Sequence, residues 1–503
     1  MAKLSMRERY SLLTRDLDWT PTYVDPKVVY PYTRYEGIKI HDWDAWEDPF
    51  RLTVDSYCKY QAEKDKKLYA VIESFAQGQG HLHLTDARYV NALKIFLQGV
   101  TPLEYAAHRH FEYLARHLDG PGPRFAALCQ SIDELRHTQT EIHTISQYNK
   151  YYSGLHDWSK MFDRVWYLSV PKSFFEDAIT AGPFEFLTSI SFSFEYLLTN
   201  LLFVPFMSGA SFNGDLATMT FGFSAQSDES RHMTLGLGAL KFLLEQDEGN
   251  VPIIQDWLDK WFWRGYRLLS LVAAMMDYML PKRFMSWKDA FELYFEEQML
   301  GGLFPDLEYY GIRPPRHLEQ AIAEKDYMSH QAYWLLYNFS HAASFNTTIP
   351  TPDELDWLSA SYPDTFDRHY RPLWDRAKQL ADSGNRFFNL GLPMLCQTCQ
   401  IPMTFTEPGN LDRIAVRGSD FRGEHFNFCS DGCKWIFDRE PEKYVQAWLP
   451  VHQIYQGNCG GATIPEVLAW YGIQPGADNG EYLTSPDKAS WDEWKASAQS
   501  GGA

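Results

Sequence analysis

The chain has 503 residues, which is enough for a large helical body with an appended domain. Hydrophobic residues make up 45% and charged residues 22%, which excludes a disordered chain. The net charge of -19, without a stripe dense in Lys and Arg, argues against nucleic acid as a partner. The apolar runs are shorter than the ~18–20 residues of a membrane span, and the N-terminus lacks the apolar segment of a signal peptide. We therefore expect a cytoplasmic protein without membrane contact.

The first 50 residues are rich in Trp, Tyr, Pro and Asp and show no sustained periodicity, which predicts an extended arm lying on the body or on a partner. Helical periodicity then dominates to about residue 390, with no convincing strand pattern. The predicted helices cover residues 50–76, 88–118, 121–150, 172–210, 213–246, 251–280, 286–300, 315–345 and 352–384.

One pentad occurs twice in the chain, as Asp133-Glu134-Leu135-Arg136-His137 and as Asp228-Glu229-Ser230-Arg231-His232. These are the only two Glu-x-x-His sequences in the 503 residues. On a helix, positions i and i+3 lie on one face, so each Glu and His pair can share a metal ion. Two such helices, with one further Glu from each of two others, form the pattern of ferritin-like di-iron bundles. The sequence thus predicts a mainly α, ferritin-like fold.

Two further carboxylates are needed to complete this pattern. Glu104 is the choice in helix 88–118, because its neighbours Val100, Leu103 and Ala107 are apolar. The candidates between the two pentads are Glu141, Glu176, Glu185 and Glu195. We prefer Glu195, since it lies in a very apolar helix where a charge needs a partner, and keep Glu185 as the alternative. The remaining residues of the pentads also have predicted roles: Asp133 and Asp228 accept the ring N–H of a ligating histidine, and Arg136 and Arg231 anchor those aspartates.

Four cysteines follow the helical region, as Cys396-x-x-Cys399 and Cys429-x-x-x-Cys433. Two paired thiolate hooks separated by a loop indicate a tetrahedral structural zinc site. We accordingly divide the chain into an arm (1–50), a di-iron helical domain (51–390), a zinc-binding domain (391–450) and a partly flexible C-terminal extension (451–503) that is rich in Gly, Ser and Asp.

The pentads, together with Glu104, Glu195 and Thr199-Asn200, resemble the large catalytic subunit of the bacterial multicomponent monooxygenases, within which the phenol hydroxylases are most similar. The resemblance covers almost the whole chain and implies a carboxylate-bridged di-iron centre that uses O₂ to hydroxylate phenol and related aromatics to catechols. It places Glu104, Glu134 and His137 on one iron and Glu195, Glu229 and His232 on the other.

The same resemblance assigns further site residues and partners. It makes Thr199 the active-site threonine, and Asn200 and Gln226 polar neighbours that respond to an effector protein. It points to an apolar substrate pocket formed by Val100, Leu103, Ala107, Phe174, Phe194 and Phe203. It also implies an (αβγ)₂ assembly with two smaller subunits, a small effector protein, and electrons from NADH through a separate reductase with FAD and a [2Fe–2S] cluster.

Several alternatives use similar residues. A toluene or benzene monooxygenase belongs to the same family, although the second cysteine pair is lost in the toluene-oxidising relatives. An acyl desaturase or a ribonucleotide reductase radical subunit shares the ligand set but is usually shorter and lacks the cysteine-rich segment. An iron-storage or structural ferritin-like subunit is the non-enzyme alternative.

Overall fold

The computed structural model describes residues 37–47, 52–84, 86–152, 166–339, 347–384 and 395–447. Most of the predicted arm and all of the extension at 451–503 lie outside these described residues. The described end of the arm includes a 3-10 turn, Trp43–Ala45, and its Trp43 and Trp46 rings pack against Phe242.

Helices dominate the described residues between 52 and 384. We label them α1 Val54–Gln77, α2 Ala87–His117, α3 Pro121–Tyr148, α4 Trp166–Ile179, α5 Pro183–Phe212, α6 Leu216–Gln246, α7 Asn250–Ala274, α8 Trp287–Ala290, α9 Leu318–Glu324, α10 Met328–Phe339, α11 Pro352–Ser361 and α12 Arg371–Asp382. Four π-helical segments interrupt or extend them: Thr188–Tyr196 inside α5, Met275–Met279 after α7, Phe291–Leu303 after α8 (followed by the short helix Phe304–Glu308), and Phe366–Tyr370 before α12. A 3-10 turn, Gly80–His83, follows α1.

The predicted helix 172–210 is two helices in the structure, with the break between Ile179 and Pro183. Pro183 explains the break, because its missing N–H and fixed φ suit the first turn of a helix and not its interior. The predicted helices 315–345 and 352–384 are each divided as well.

The bundle around the pentads is formed by α2, α3, α5 and α6, while α1 packs on α6 and α7 is buried along most of its length. Gly236 permits the contact between α6 and α5, since a Cβ at this position would lie 2.3 Å from the carbonyl oxygen of Ser191. Helix α5 is long and apolar enough to cross a membrane by composition, but 78% of its apolar window is buried inside the bundle. It is therefore a core helix of this fold.

The C-terminal region carries short strands that the sequence did not predict. β1 Thr406–Glu407 pairs antiparallel with β2 Asn410–Ile414, and β3 Arg417–Phe421 pairs antiparallel with β4 Glu424–Phe428. Helices α13 Asp431–Arg439 and α14 Pro441–Tyr444 follow. This region docks on the helical body through Arg264, which donates to the carbonyl of Thr398 (2.7 Å), and through Tyr444, which donates to Asp177 (2.6 Å).

Candidate metal centre

Four helices bring the six predicted iron ligands into one cluster, in which Glu104 is half-buried and the other five are buried. The six are Glu104 from α2, Glu134 and His137 from α3, Glu195 from α5, and Glu229 and His232 from α6. One ligand atom each from Glu104, Glu134, His137 and Glu229 lies within 4.8 Å of the others, and the same holds for Glu134, Glu195 and His232. The spacing suits two neighbouring metal ions.

Glu134 and Glu229 both reach across the cluster. Nδ1 of His137 lies 3.5 Å from Oε2 of Glu134 and 3.6 Å from Oε1 of Glu229. Nδ1 of His232 lies 3.3 Å from Oε1 of Glu134 and 3.5 Å from Oε2 of Glu229. Each of these two carboxylates thus turns one oxygen toward each histidine. The resemblance assigned Glu134 to one metal and Glu229 to the other, whereas in the structure both carboxylates lie between the two histidines. Glu104 is on the His137 side, 3.5 Å from its Nδ1.

The two histidine rings are held by aspartates from the opposite pentads. Nε2 of His137 lies 3.2 Å from Asp228, and Nε2 of His232 lies 3.3 Å from Asp133. The Nδ1 atoms of both rings are buried and have no hydrogen-bond partner within the described residues. Unpaired ring nitrogens that face four carboxylates fit a metal centre, and this set of oxygen and imidazole ligands suits iron or manganese.

The aspartates are anchored by the two arginines of the pentads and by α1. Arg136 donates to Asp133 and to Asp228, 3.2 Å in each case, and Arg231 also binds both aspartates. On α1, Gln61 donates to Asp133 (2.7 Å) and Asp228 (2.8 Å). The anchoring network therefore links α3 and α6 to a third helix.

The contribution of α1 to this network was not predicted from the sequence. Tyr57 donates to Asp133 (2.7 Å), Lys64 lies 2.5 Å from Asp228, and Asp65 accepts from Arg136 (3.0 Å). The sequence does contain a pattern that could have indicated this contribution. The spacing of Tyr57, Gln61, Lys64 and Asp65 places four polar side chains on one face of the helix, whereas the buried face of a helix is normally apolar.

Burial and mutual repulsion control the charge of the cluster. Burial raises the pKa of Glu104 and Glu195 well above the usual range, and the carboxylates of Glu134 and Glu229, respectively, add to the effect. Burial alone would lower the pKa of His137, but its contacts with Asp228 and the surrounding glutamates outweigh burial and raise it. Four carboxylates this close together need compensating positive charge, which bound cations would provide.

The π-helical segment of α5 positions Glu195. The N–H of Leu197 donates to the carbonyl of Phe192, five residues earlier, and Thr199 Oγ1 donates to the carbonyl of Phe194 (3.3 Å). Such π turns are frequent at functional sites because they re-aim side chains within a helix. Gln130 donates to both oxygens of Glu195, at 3.0 and 3.1 Å.

Glu185, the alternative ligand, lies elsewhere. It accepts hydrogen bonds from Lys260 (2.9 Å) and from Trp261 Nε1 (3.0 Å). The geometry therefore favours Glu195 as the carboxylate from α5.

An apolar cavity of about 90 Å³ lies beside the cluster and is lined by Glu104, Glu134, Glu195 and Glu229 on one side. Of the predicted pocket residues, five line it: Val100, Leu103, Ala107, Phe194 and Phe203. Phe174 is not among the lining residues. Its ring packs against Phe194 (5.3 Å between centroids) and Trp261 (5.6 Å), and the next residue, Phe175, lines the cavity instead.

Part of the cavity wall was not predicted. The additional residues come mainly from the N-terminal half of α2, from the last turns of α7 and from the π-helical segment after it, and include Ile95, Phe96, Gly99, Leu268, Leu271, Val272 and Met275. Of the three polar residues assigned by resemblance, Thr199 is buried and lines the cavity, whereas Asn200 and Gln226 are half-buried and lie outside its lining.

The four C-terminal cysteines form a second buried cluster. Their ligand atoms lie within 4.8 Å of one another, with 3.6 Å between the sulfurs of Cys399 and Cys429 and 3.7 Å between those of Cys429 and Cys433. A tetrahedron of Zn–S bonds of ~2.3 Å spaces its sulfurs by about 3.8 Å, whereas a disulfide would bring two of them to ~2.05 Å. The arrangement, completed by Cys396, is compatible with zinc.

Comparisons with known proteins agree with this architecture. Residues 19–247 match a family model described as methane/phenol/alkene hydroxylase, and residues 410–448 match one described as a YHS domain. The chain is 59% identical to the oxygenase component of phenol 2-monooxygenase from Pseudomonas sp. (strain CF600), over 97% of this chain and 95% of that protein. It is 28% identical to the alpha subunit of the oxygenase component of an alkene monooxygenase system from Xanthobacter autotrophicus (strain ATCC BAA-1158 / Py2), over 94% of this chain and 95% of that subunit. The xenon-pressurized crystal structure of phenol hydroxylase from Pseudomonas sp. OX1 superimposes with a TM-score of 0.90 at 56% identity, covering 98% of this chain and all of that one.

Proposed function

Because this chain belongs to the methane/phenol/alkene hydroxylase family as the catalytic oxygenase subunit of a monooxygenase, we propose that it hydroxylates phenol to catechol with O₂ at a carboxylate-bridged di-iron centre. The observation that carries this proposal is the cluster of four glutamates and two histidines that opens onto an apolar cavity. The high identity to a phenol 2-monooxygenase component supports phenol as the substrate.

The residues would divide the work as follows. Glu104 and His137 would bind one iron and Glu195 and His232 the other. Glu134 and Glu229 would serve both, a proposal supported by the one oxygen that each turns toward each histidine. Bound iron would supply the activation of O₂ for insertion of one oxygen atom into a C–H bond. Asp133 and Asp228 keep the two Nδ1 atoms turned toward the carboxylates, because each accepts the N–H on the far side of a ring.

The cavity would bind the aromatic ring and exclude water from the cluster. Apart from the four glutamates, Thr199 supplies the only polar side chain among the described residues that line the cavity. A pocket with so few polar groups orients its ligand mainly by shape. Changes to Leu103 or Phe203 should therefore alter the position of hydroxylation before they alter iron content.

We propose a structural role for zinc at Cys396, Cys399, Cys429 and Cys433, within a zinc-binding domain at 391–450. All four thiols are buried, and the cluster joins the turn that carries Cys396 and Cys399 to the end of β4 and to α13. Four protein ligands leave no open coordination position, so this site would contribute to folding and not to chemistry.

Oxygenase components imply other components, and we propose their identity from the family resemblance. Electrons would come from NADH through a separate reductase with FAD and a [2Fe–2S] cluster, and an effector protein would act near Asn200 and Gln226. Two smaller subunits would complete an (αβγ)₂ assembly. We place the system in the cytoplasm, where NADH is available. The purified chain with NADH alone should oxidise nothing.

The first test uses the reconstituted system with phenol, toluene and benzene, and with isotopically labelled O₂. Catechol from phenol, with its new oxygen derived from O₂, supports the proposal, and oxygen derived from water contradicts it. Preferred turnover of toluene or benzene would identify the toluene-oxidising branch of the family instead.

A second test addresses the iron ligands directly. Glu134→Ala and His232→Ala should lose most of the iron and all hydroxylation while the helical content stays nearly intact. Glu112→Ala is the control, since Glu112 is an exposed glutamate of α2. Full activity in either ligand variant would remove the di-iron assignment.

A further inference from the structure

One buried carboxyl lies close to the metal centre but outside the ligand set. Glu141 is on α3, one turn beyond His137, and is completely buried. Neither of its carboxyl oxygens has a hydrogen-bond partner within the described residues. An unpaired buried polar group costs roughly 1–3 kcal/mol, so its presence needs a physical explanation.

The packing of α2 against α3 places a hydroxyl near this carboxyl. The helices run antiparallel, as shown by His108 contacting Ser131 (2.9 Å) and Glu104 contacting His137 (3.5 Å). One turn farther along both helices, the buried hydroxyl of Thr101 lies near enough to the Glu141 carboxyl to lower its pKa, although the contact does not have the geometry of a full hydrogen bond. A buried carboxyl and a buried hydroxyl, neither with a full hydrogen bond within the described residues, thus lie together one turn from the ligands.

The environment keeps the Glu141 carboxyl protonated near neutral pH. Burial raises its pKa to about 8. The Thr101 hydroxyl and His137 lower this pKa, and the negative charges of Glu134 and Glu229 raise it, but burial is the largest effect. A neutral carboxylic acid has a labile O–H that glutamine or threonine cannot replace as an acid. Buried acids with raised pKa values are typical of groups that transfer protons.

We propose that Glu141 is the internal proton donor for oxygen reduction at the metal centre, with the Thr101 hydroxyl as part of the relay. The inference rests on the proposed function, in which one C–H bond, O₂, two electrons from the reductase and two protons give one C–OH bond and water. In the proposed step the O–H bond of Glu141 breaks and its proton passes to the oxygen atom that leaves as water. The carboxylate regains a proton from solvent before the next turnover.

Glu141→Gln in the reconstituted system tests the proposal, because glutamine has nearly the same shape and is uncharged, like the protonated acid. Iron content and thermal stability should match the wild type. The kcat for catechol formation should fall roughly a hundredfold, which is the lower end of the rate enhancement that a positioned proton donor provides. NADH consumed per catechol should rise, and the solvent deuterium isotope effect on kcat should change. Glu141→Asp, which keeps an acid, should recover part of the rate.

Thr144→Val is the matched control, since Thr144 is also buried on α3 but its hydroxyl already donates to the carbonyl of Thr140 (2.8 Å). It should leave kcat and coupling unchanged. A readout independent of turnover is the infrared difference spectrum of wild type minus Glu141→Gln, taken on metal-free protein. It should contain the deuterium-sensitive carbonyl band of a protonated carboxylic acid.

The outcomes separate this inference from the proposed function. A wild-type system that makes no catechol overturns both. Wild-type hydroxylation with kcat and coupling in Glu141→Gln within twofold of wild type overturns only the role of Glu141. Loss of iron in Glu141→Gln, or a difference spectrum without the acid band, also overturns it, because the residue would then be structural or ionised.

Discussion

Asp228 is not a predicted ligand, but removing its negative charge should weaken the metal centre strongly. It is completely buried, and it accepts from His137 (3.2 Å) and Gln61 (2.8 Å). Around it, three cations are balanced by three carboxylates: Lys64, Arg136 and Arg231 against Asp65, Asp133 and Asp228. Asp228→Asn leaves one positive charge in excess in this cluster.

The structure sets the size of the expected effect. Removing one partner of a buried ion pair costs about 3–5 kcal/mol, and loss of the carboxylate that orients a ligating histidine reduces metal affinity by about 10–100-fold. Iron retained after dialysis against a chelator, together with denaturant unfolding, measures both effects. Asp55→Asn is the control on α1, because the pair of Asp55 with Lys59 is highly exposed and should contribute at most ~1 kcal/mol.

A double variant separates charge balance from histidine orientation. Lys64→Met combined with Asp228→Asn restores equal numbers of positive and negative groups, so part of the lost stability should return. Iron retention should stay low, since His137 still lacks its carboxylate acceptor. Iron retention equal to wild type in Asp228→Asn, with less than ~1 kcal/mol of destabilisation, would refute the reasoning, because it is below the range for an unpaired buried charge.

Three other regions give independent predictions. Cys429→Ser should release zinc and lower the stability of the C-terminal region, as seen by metal analysis and limited proteolysis, whereas Cys58→Ser, at an exposed thiol, should change neither. Gly236→Ala should destabilise the protein and reduce iron retention, because its Cβ would lie 2.3 Å from a backbone carbonyl of α5; a melting temperature equal to wild type would contradict this. Burial would raise the pKa of Asp177, but Lys260 and other nearby cations outweigh it and lower that pKa. Since the folded pKa lies below the unfolded value of ~3.9, the stabilisation by Asp177 is complete above about pH 4 and is lost as the pH falls further. Unfolding of wild type and Asp177→Asn from pH 3 to 7 should therefore differ most at the upper end.

Local spacing explains which parts of the site could be predicted. The Glu-x-x-His pairs and the cysteine hooks are short-range patterns whose geometry follows from one helix or one loop. The crossed contacts of His137 with Asp228 and His232 with Asp133 follow from the repeat itself, because two equal pentads on facing helices present the same groups to each other.

Long-range packing explains what could not be predicted. Tyr57 and Gln61 reach the aspartates from a helix more than 70 residues earlier in the chain, and helical periodicity does not specify which helix packs there. Phe175, and not the predicted Phe174, lines the cavity. The two residues are neighbours on α4, a helix that contains Pro171, so the error is one residue in the predicted face of the helix. A change of one residue rotates a side chain by about 100° around the helix axis.

The crossed anchoring makes the two halves of the centre mutually dependent. Each aspartate holds the histidine of the other helix, both arginines bind both aspartates, and Gln61 bonds both as well. Glu134 and Glu229 also each face both histidines. A displacement of α3 relative to α6 therefore changes both halves at once. Because Gln61 of α1 bonds to the same two aspartates, the orientation of both histidines also depends on a helix that contributes none of the six candidate ligands.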